Sequence, residues 1–347
     1  MIMAALTASL FGLTACTGAA PAAEPASQPV KEEPTEPVVS EETAAEQPEE
    51  KAEEKAEEKQ EEKKEESQTS AQSALAIILN SKPFALTKTQ YTVDKQDFQA
   101  KSDGKAIVGS VFVPDDGQEM HPVVIFSHGF ANVGTWLNYK AESLAASGFI
   151  TLTFDFRGGS PLSRSEGETQ DMTIGTETAD LMAVIDAVKQ LPGVDTGKLY
   201  LLGESYGGLV SARTAAKRDD IAGLILCYPA LHSADASRAA FASVDAIPET
   251  LTVGSVVTGR AMWQELWDMD VYADIAPYTG PVLILHGTAD TDVPYSYSVR
   301  AYRQYENAQL VLVEGGTHCF LDKDDEKTVF HTIYQFLAKQ CELPVDR

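Results

Sequence analysis

Apolar and polar positions change rhythm along this chain. Residues 1–15 are small and apolar, residues 17–72 are polar and interspersed with Pro, and from about residue 105 short apolar runs alternate with amphipathic stretches. The runs 105–113, 122–127, 149–154, 198–202, 221–227, 282–285 and 310–313 read as strands. The intervening stretches 136–147, 178–190, 205–218, 295–305 and 327–339 read as helices, with Leu181, Val184, Ile185 and Val188 marking one apolar face. Strands that are continuously apolar are buried on both faces, and helices between them supply the crossovers of a parallel sheet. The pattern therefore predicts an α/β body with a mostly parallel, doubly wound sheet, and no solenoid-type repeat accompanies it.

One segment breaks the alternation. About 50 residues without a clear strand, 229–280, separate the runs ending at Cys227 and beginning at Val282. That exceeds an ordinary connection, so an inserted lid is expected there. Met262, Trp263, Leu266, Trp267 and Met269 fall at helical spacing within it, so Trp263 and Trp267 either pack the insertion on the body or line a substrate pocket.

Charge narrows the function classes. Of 347 residues, 52 are Asp or Glu and 27 are Lys or Arg, for a net charge of −25. Residues 24–72 hold 17 Glu and 6 Lys, and the body from residue 73 onward is also net negative. Binding to a phosphate backbone needs clustered cations, so nucleic acid is not expected as a partner.

The amino-terminal apolar run is too short to cross a bilayer and predicts a signal peptide over residues 1–15. Leu13-Thr14-Ala15-Cys16 resembles the lipobox of bacterial lipoproteins, which implies cleavage before Cys16, lipidation of Cys16 and an exported, membrane-tethered protein. Residues 16–72, with a Glu-Glu-Lys-x repeat over 49–66, cannot bury enough apolar area to offset chain entropy and are expected to form an extended spacer. The folded domain is expected over 73–347. It contains Cys227, Cys319 and Cys341, an odd set that allows at most one internal disulfide. No C-x-x-C or His/Cys cluster predicts a metal site.

The chemistry lies in Gly203-Glu204-Ser205-Tyr206-Gly207, a G-x-S-x-G motif between a strand and a helix. A turn this sharp strains the serine backbone and tolerates no bulk two residues to either side. It also presents the hydroxyl at a helix N-terminus, where a developing anion is favoured. A serine nucleophile needs a base, and the base needs an orienting acid. Loops after later strands supply both: Asp290 in His286-Gly287-Thr288-Ala289-Asp290-Thr291-Asp292, and His318 in Gly315-Gly316-Thr317-His318. Loops at the carboxyl edge of a parallel sheet converge, so Ser205, Asp290 and His318 are the predicted catalytic set. Asp292 is the rival acid and His331 the rival base, the latter inside a predicted helix. His286 and His128 are expected to shape their loops. The backbone N–H groups of Phe130 and Tyr206 are the expected oxyanion donors.

Ser127-His128-Gly129-Phe130, residues 203–208, residues 286–290 and His318-Cys319-Phe320 together resemble the motifs of α/β-hydrolase esterases, most of all the bacterial cinnamoyl (feruloyl) esterase group. The resemblance spans roughly residues 105–340. It implies the α/β-hydrolase fold, ester hydrolysis through an acyl-enzyme, a lid at 229–280 and no cofactor. Glu204 and Tyr206 depart from the His and Gln expected beside the nucleophile, which leaves the acyl preference open. The expected function is a serine carboxylesterase acting on feruloyl or acetyl esters of plant cell-wall polysaccharide, with a serine peptidase of aminopeptidase or prolyl type as the alternative.

Overall fold

The computed structural model describes residues 81–343; Cys16, the expected signal peptide and the acidic spacer lie outside that range. An eight-stranded sheet is built from β1 (Thr92–Ser102), β2 (Lys105–Asp115), β3 (His121–Ser127), β4 (Ile150–Phe154), β5 (Val194–Glu204), β6 (Gly223–Cys227), β9 (Val282–Gly287) and β10 (Ala308–Val313), in the order β1-β2-β4-β3-β5-β6-β9-β10. From β4 to β10 neighbouring strands run parallel, and β1 and β2 form an antiparallel margin. The helices are α1 (Asn138–Ala145), α2 (Ile174–Val188), α3 (Tyr206–Ala215), α4 (Ser233–Ala240), α5 (Arg260–Asp268), α6 (Val271–Ile275), α7 (Ser296–Gln304) and α8 (Lys323–Cys341).

Alternation along each central strand divides the core into two. Val123, Ile125, Leu199, Leu201, Leu224 and Ile284 point to the face covered by α2 and α3. Val124, Phe126, Leu202, Ile225, Leu283 and Leu285 point to the other, covered by α1 and α8. Successive strand residues face opposite sides, so a sheet clothed on both faces must be apolar at every position, as the sequence pattern indicated. Caps fix where the long helices begin. Thr173 and Thr176 form a reciprocal capping box on α2, and the Asp322 carboxylate accepts the N–H groups of Asp324 and Asp325 on α8.

Two features depart from the sequence expectation. Strand β1 precedes the first predicted strand; as an edge strand it is largely exposed and polar, so it lacks an apolar signature. Its link to β2 is the pair Asp103-Gly104, both at positive φ (50° and 77°), a two-residue hairpin turn. The segment between β6 and β9 is not free of strands: it contains the hairpin β7 (Thr250–Val253) and β8 (Val256–Gly259) beside α4, α5 and α6. This insertion is docked on the body by Glu265, which accepts the Gly175 N–H at 2.9 Å and pairs with Arg213 at 2.5 Å. Among the described residues no helix is long and apolar enough to cross a membrane. Cys227, Cys319 and Cys341 are all free thiols.

Candidate active site

Ser205 stands in the turn from β5 into α3 with φ 52° and ψ −117°, a conformation a side chain rarely adopts. Close packing enforces it. A Cβ on Gly203 would lie 2.4 Å from the Gly207 carbonyl oxygen, and one on Gly207 would lie 2.4 Å from the carbonyl oxygens of both Ser127 and His128. The strained turn is held by backbone bonds: Ser205 N–H donates to the Cys227 carbonyl, and the Ser205 carbonyl accepts from Gly208 and Ala230.

The structure brings Ser205, His318 and Asp290 into one row. His318 Nε2 lies 3.1 Å from Ser205 Oγ, and His318 Nδ1 lies 2.8 Å from Asp290 Oδ2. All three are buried at the carboxyl edge of the sheet, on the loops after β5, β9 and β10. Asp290 Oδ1 accepts the N–H groups of Asp292 and Val293, both at 2.9 Å. Burial works against ionising Asp290, yet hydrogen bonds from His286 and His318 outweigh it and hold its carboxyl well below the usual carboxylate range. The imidazole of His318 also meets the Tyr228 ring edge to face at 4.6 Å. Backbone strain clusters around it, since Tyr228, Cys319 and Phe320 all have positive φ.

The other sequence candidates fall as follows. Asp292 is buried close by, but the bond to His318 Nδ1 is made by Asp290, and Asp292 contributes its backbone N–H to that carboxylate. His331 is exposed on α8 with Nδ1 turned to the Lys327 carbonyl. His128 is entirely enclosed, where burial lowers its pKa. Its Nε2 accepts the Phe156 N–H at 3.1 Å, so Nδ1 carries the proton and donates to the Gly129 carbonyl. His286 approaches Asp290 Oδ2 at 3.1 Å, which gives it a place in the site that its loop position alone did not suggest.

Residues 128–130 pack directly on the nucleophile. A Cβ on Gly129 would stand 3.3 Å from Ser205 Cβ, and the rings of Phe130 and Tyr206 meet edge to face at 5.8 Å. Trp263 corrects the pocket expectation. It has no exposed surface, packs on Phe241, donates its indole N–H to Thr258 Oγ1 and belongs to the core cluster that the insertion shares with the body. Trp267 is half-buried against the same core cluster.

A buried ion pair behind the serine had only a faint signal in the sequence, the unusual Glu204. Lys140 Nζ lies 2.6 Å from Glu204 Oε1, with both side chains nearly enclosed. The pair borders a small hollow of about 40 Å³, shared with Asn132, Cys319 and Ser81, the first described residue. Asp290, Asp292 and His318 form a set of three metal-ligand types among the described residues. The Asp290 carboxylate, however, already accepts from four N–H groups and offers no open position to an ion.

Fold and site together define a serine hydrolase of the α/β type. The chain belongs to the prolyl oligopeptidase family, whose model matches residues 135–343. It is similar to Est1E from Butyrivibrio proteoclasticus, solved with ferulic acid bound: 29% identity, TM-score 0.64, covering 71% of this chain and 99% of that one. It also resembles the acylamino-acid-releasing enzyme of Rattus norvegicus, 24% identical over 68% of this chain and 34% of that enzyme. An uncharacterized 31.7 kDa Escherichia coli protein is 32% identical over 32% of this chain and 39% of its own length. The chain thus spans well under half of these two curated relatives.

Proposed function

We propose that this protein hydrolyses carboxylic esters through an acyl-enzyme on Ser205, with His318 as general base and acid and Asp290 as the orienting carboxylate. The observation that carries this reading is the continuous row from Asp290 Oδ2 through His318 to Ser205 Oγ. Nδ1–H of His318 is fixed by Asp290, so the lone pair of Nε2, 3.1 Å from Ser205 Oγ, accepts the serine proton as Oγ attacks the carbonyl. The tetrahedral oxyanion forms beside the backbone of Tyr206 and Phe130, whose N–H groups are assigned as its donors. His318 then protonates the leaving alcohol and activates the water that releases the acid.

An ester is favoured over an amide by the likeness to Est1E along nearly its full length, and an aromatic acyl group by the ferulic acid it holds. The peptidase alternative is supported by the family match and by the acylamino-acid-releasing enzyme. Purified protein is to be assayed in parallel on methyl ferulate, p-nitrophenyl acetate and acetyl-alanyl p-nitroanilide. Turnover of the esters, abolished by Ser205→Ala, supports the ester reading; faster turnover of the anilide replaces it with the peptidase one. The lipobox-like segment supports export and tethering through Cys16, for which labelled palmitate incorporation lost in Cys16→Ser is the test.

A further inference from the structure

Three elements meet behind the nucleophile through one ammonium group. Lys140 on α1 contacts Glu204, the last residue of β5 and the immediate neighbour of Ser205, at 2.6 Å. On its other side it lies 4.0 Å from Oε1 of Glu326, in the first turn of α8, and the same oxygen accepts the Tyr139 hydroxyl. The Lys140 ammonium also stands 5.6 Å from the centre of the Phe330 ring on α8. Helix α8 begins at Lys323, two residues after the short turn His318–Phe320. Tyr228, whose hydroxyl feels the charge of Glu204, completes the contact by placing its ring on His318.

A buried ion pair is not in itself a source of stability, because desolvating both charges offsets most of their attraction. Removing one partner is costly, since the other is left charged in an apolar setting. Its hydrogen bond, by contrast, keeps the two groups at a fixed short separation when both are enclosed, 2.6 Å here. Here the short contact joins α1 to the end of β5, next to the attacking oxygen, and the longer one, at 4.0 Å, joins α1 to the helix that follows the loop of the base.

We propose that Lys140 is a positioning residue: through Glu204 on one side and Glu326 on the other, it sets the separation of the Ser205 and His318 loops. This rests on the reading of Ser205 and His318 as the reacting pair. A displacement of about an ångström at such a pair costs on the order of 100-fold in rate without any change in how the substrate is held. The residue therefore governs kcat and leaves KM alone.

The alternative, that Lys140 only neutralises a buried carboxylate, makes an opposite prediction for a double substitution. Lys140→Met leaves Glu204 charged and alone; Lys140→Met with Glu204→Gln removes both charges while keeping volume. Both variants and the parent are to be compared by thermal melting, by kcat and KM on p-nitrophenyl acetate, and by the rate of fluorophosphonate labelling. The proposal expects the double variant to melt near the parent, with kcat and labelling rate lower by roughly 10- to 100-fold and KM unchanged. A double variant with parental kcat, or one altered only in KM, overturns it. A parent protein that fluorophosphonate fails to label defeats the serine-hydrolase reading itself, whereas parent and double variant labelled at equal rates defeat only the role of Lys140.

Discussion

His286 and His318 share a single oxygen: Asp290 Oδ2 lies 3.1 Å from His286 Nε2 and 2.8 Å from His318 Nδ1. The His286 ring is itself fixed at both nitrogens, with Nδ1 2.7 Å from Ser298 Oγ and Nε2 2.9 Å from the Val293 carbonyl. The acid is consequently held by a second, fixed imidazole at the very oxygen the base uses, and the imidazole of His318 inherits that order.

Replacing Asp290 by Asn keeps the shape but removes the acceptor that selects the Nδ1–H tautomer. On p-nitrophenyl acetate, kcat is expected to fall by roughly 10⁴-fold, the scale associated with a wrong tautomer in a triad of this kind. The pH dependence has a defined sign. Because the folded carboxyl titrates below its ordinary value, its contribution to stability is full above that value and is lost as pH falls through the lowered one. Acid melting curves of the parent and Asp290→Asn should converge at low pH.

Gly207→Ala tests the elbow. The added methyl would stand 2.4 Å from two backbone oxygens that no rotamer change can move. A loss of about 1–3 kcal/mol is expected from forced backbone displacement, seen as a lower melting temperature, together with a large drop in fluorophosphonate labelling.

How much of this was readable in advance differs between elements for a physical reason. The central strands β3, β6 and β9 and the second half of β5 were legible because burial on both faces leaves an uninterrupted apolar run. The meeting of Ser205, Asp290 and His318 follows from the parallel sheet, which brings loops distant in sequence to one edge. Strand β1 escaped because its first half is exposed and polar and only Phe98, Ala100 and Ser102 alternate inward, and the β7–β8 hairpin because each of its strands is only four residues long. Lys140 had no local signal at all. A lysine on an amphipathic helix reads as surface, and only the fold places it 2.6 Å from Glu204. Trp263 and Trp267 share a helical face, but spacing does not say what covers that face, and for Trp263 the cover is Phe241.

Glu177 offers a test that is independent of catalysis. It is buried on α2 and its Oε2 has no hydrogen-bond partner. Burial pushes its carboxyl well above the ordinary value of 4.5, and Asp180 adds to the shift. A raised carboxyl stabilises the fold below its unfolded value and loses that contribution as pH rises toward the folded one. Glu177→Gln should therefore melt several degrees higher than the parent at pH 8, with the difference vanishing near pH 4. Equal melting temperatures at pH 8 would show that the group ionises freely.

Ser81 borders the hollow beside Glu204 and Cys319, and from there the chain crosses α1 and α8, with Phe84 set edge to face on Phe330. Phe330 is thus shared by the entering chain and by the Lys140 ammonium, so trimming the chain as far as Phe84 should disturb the packing on which that ion pair rests.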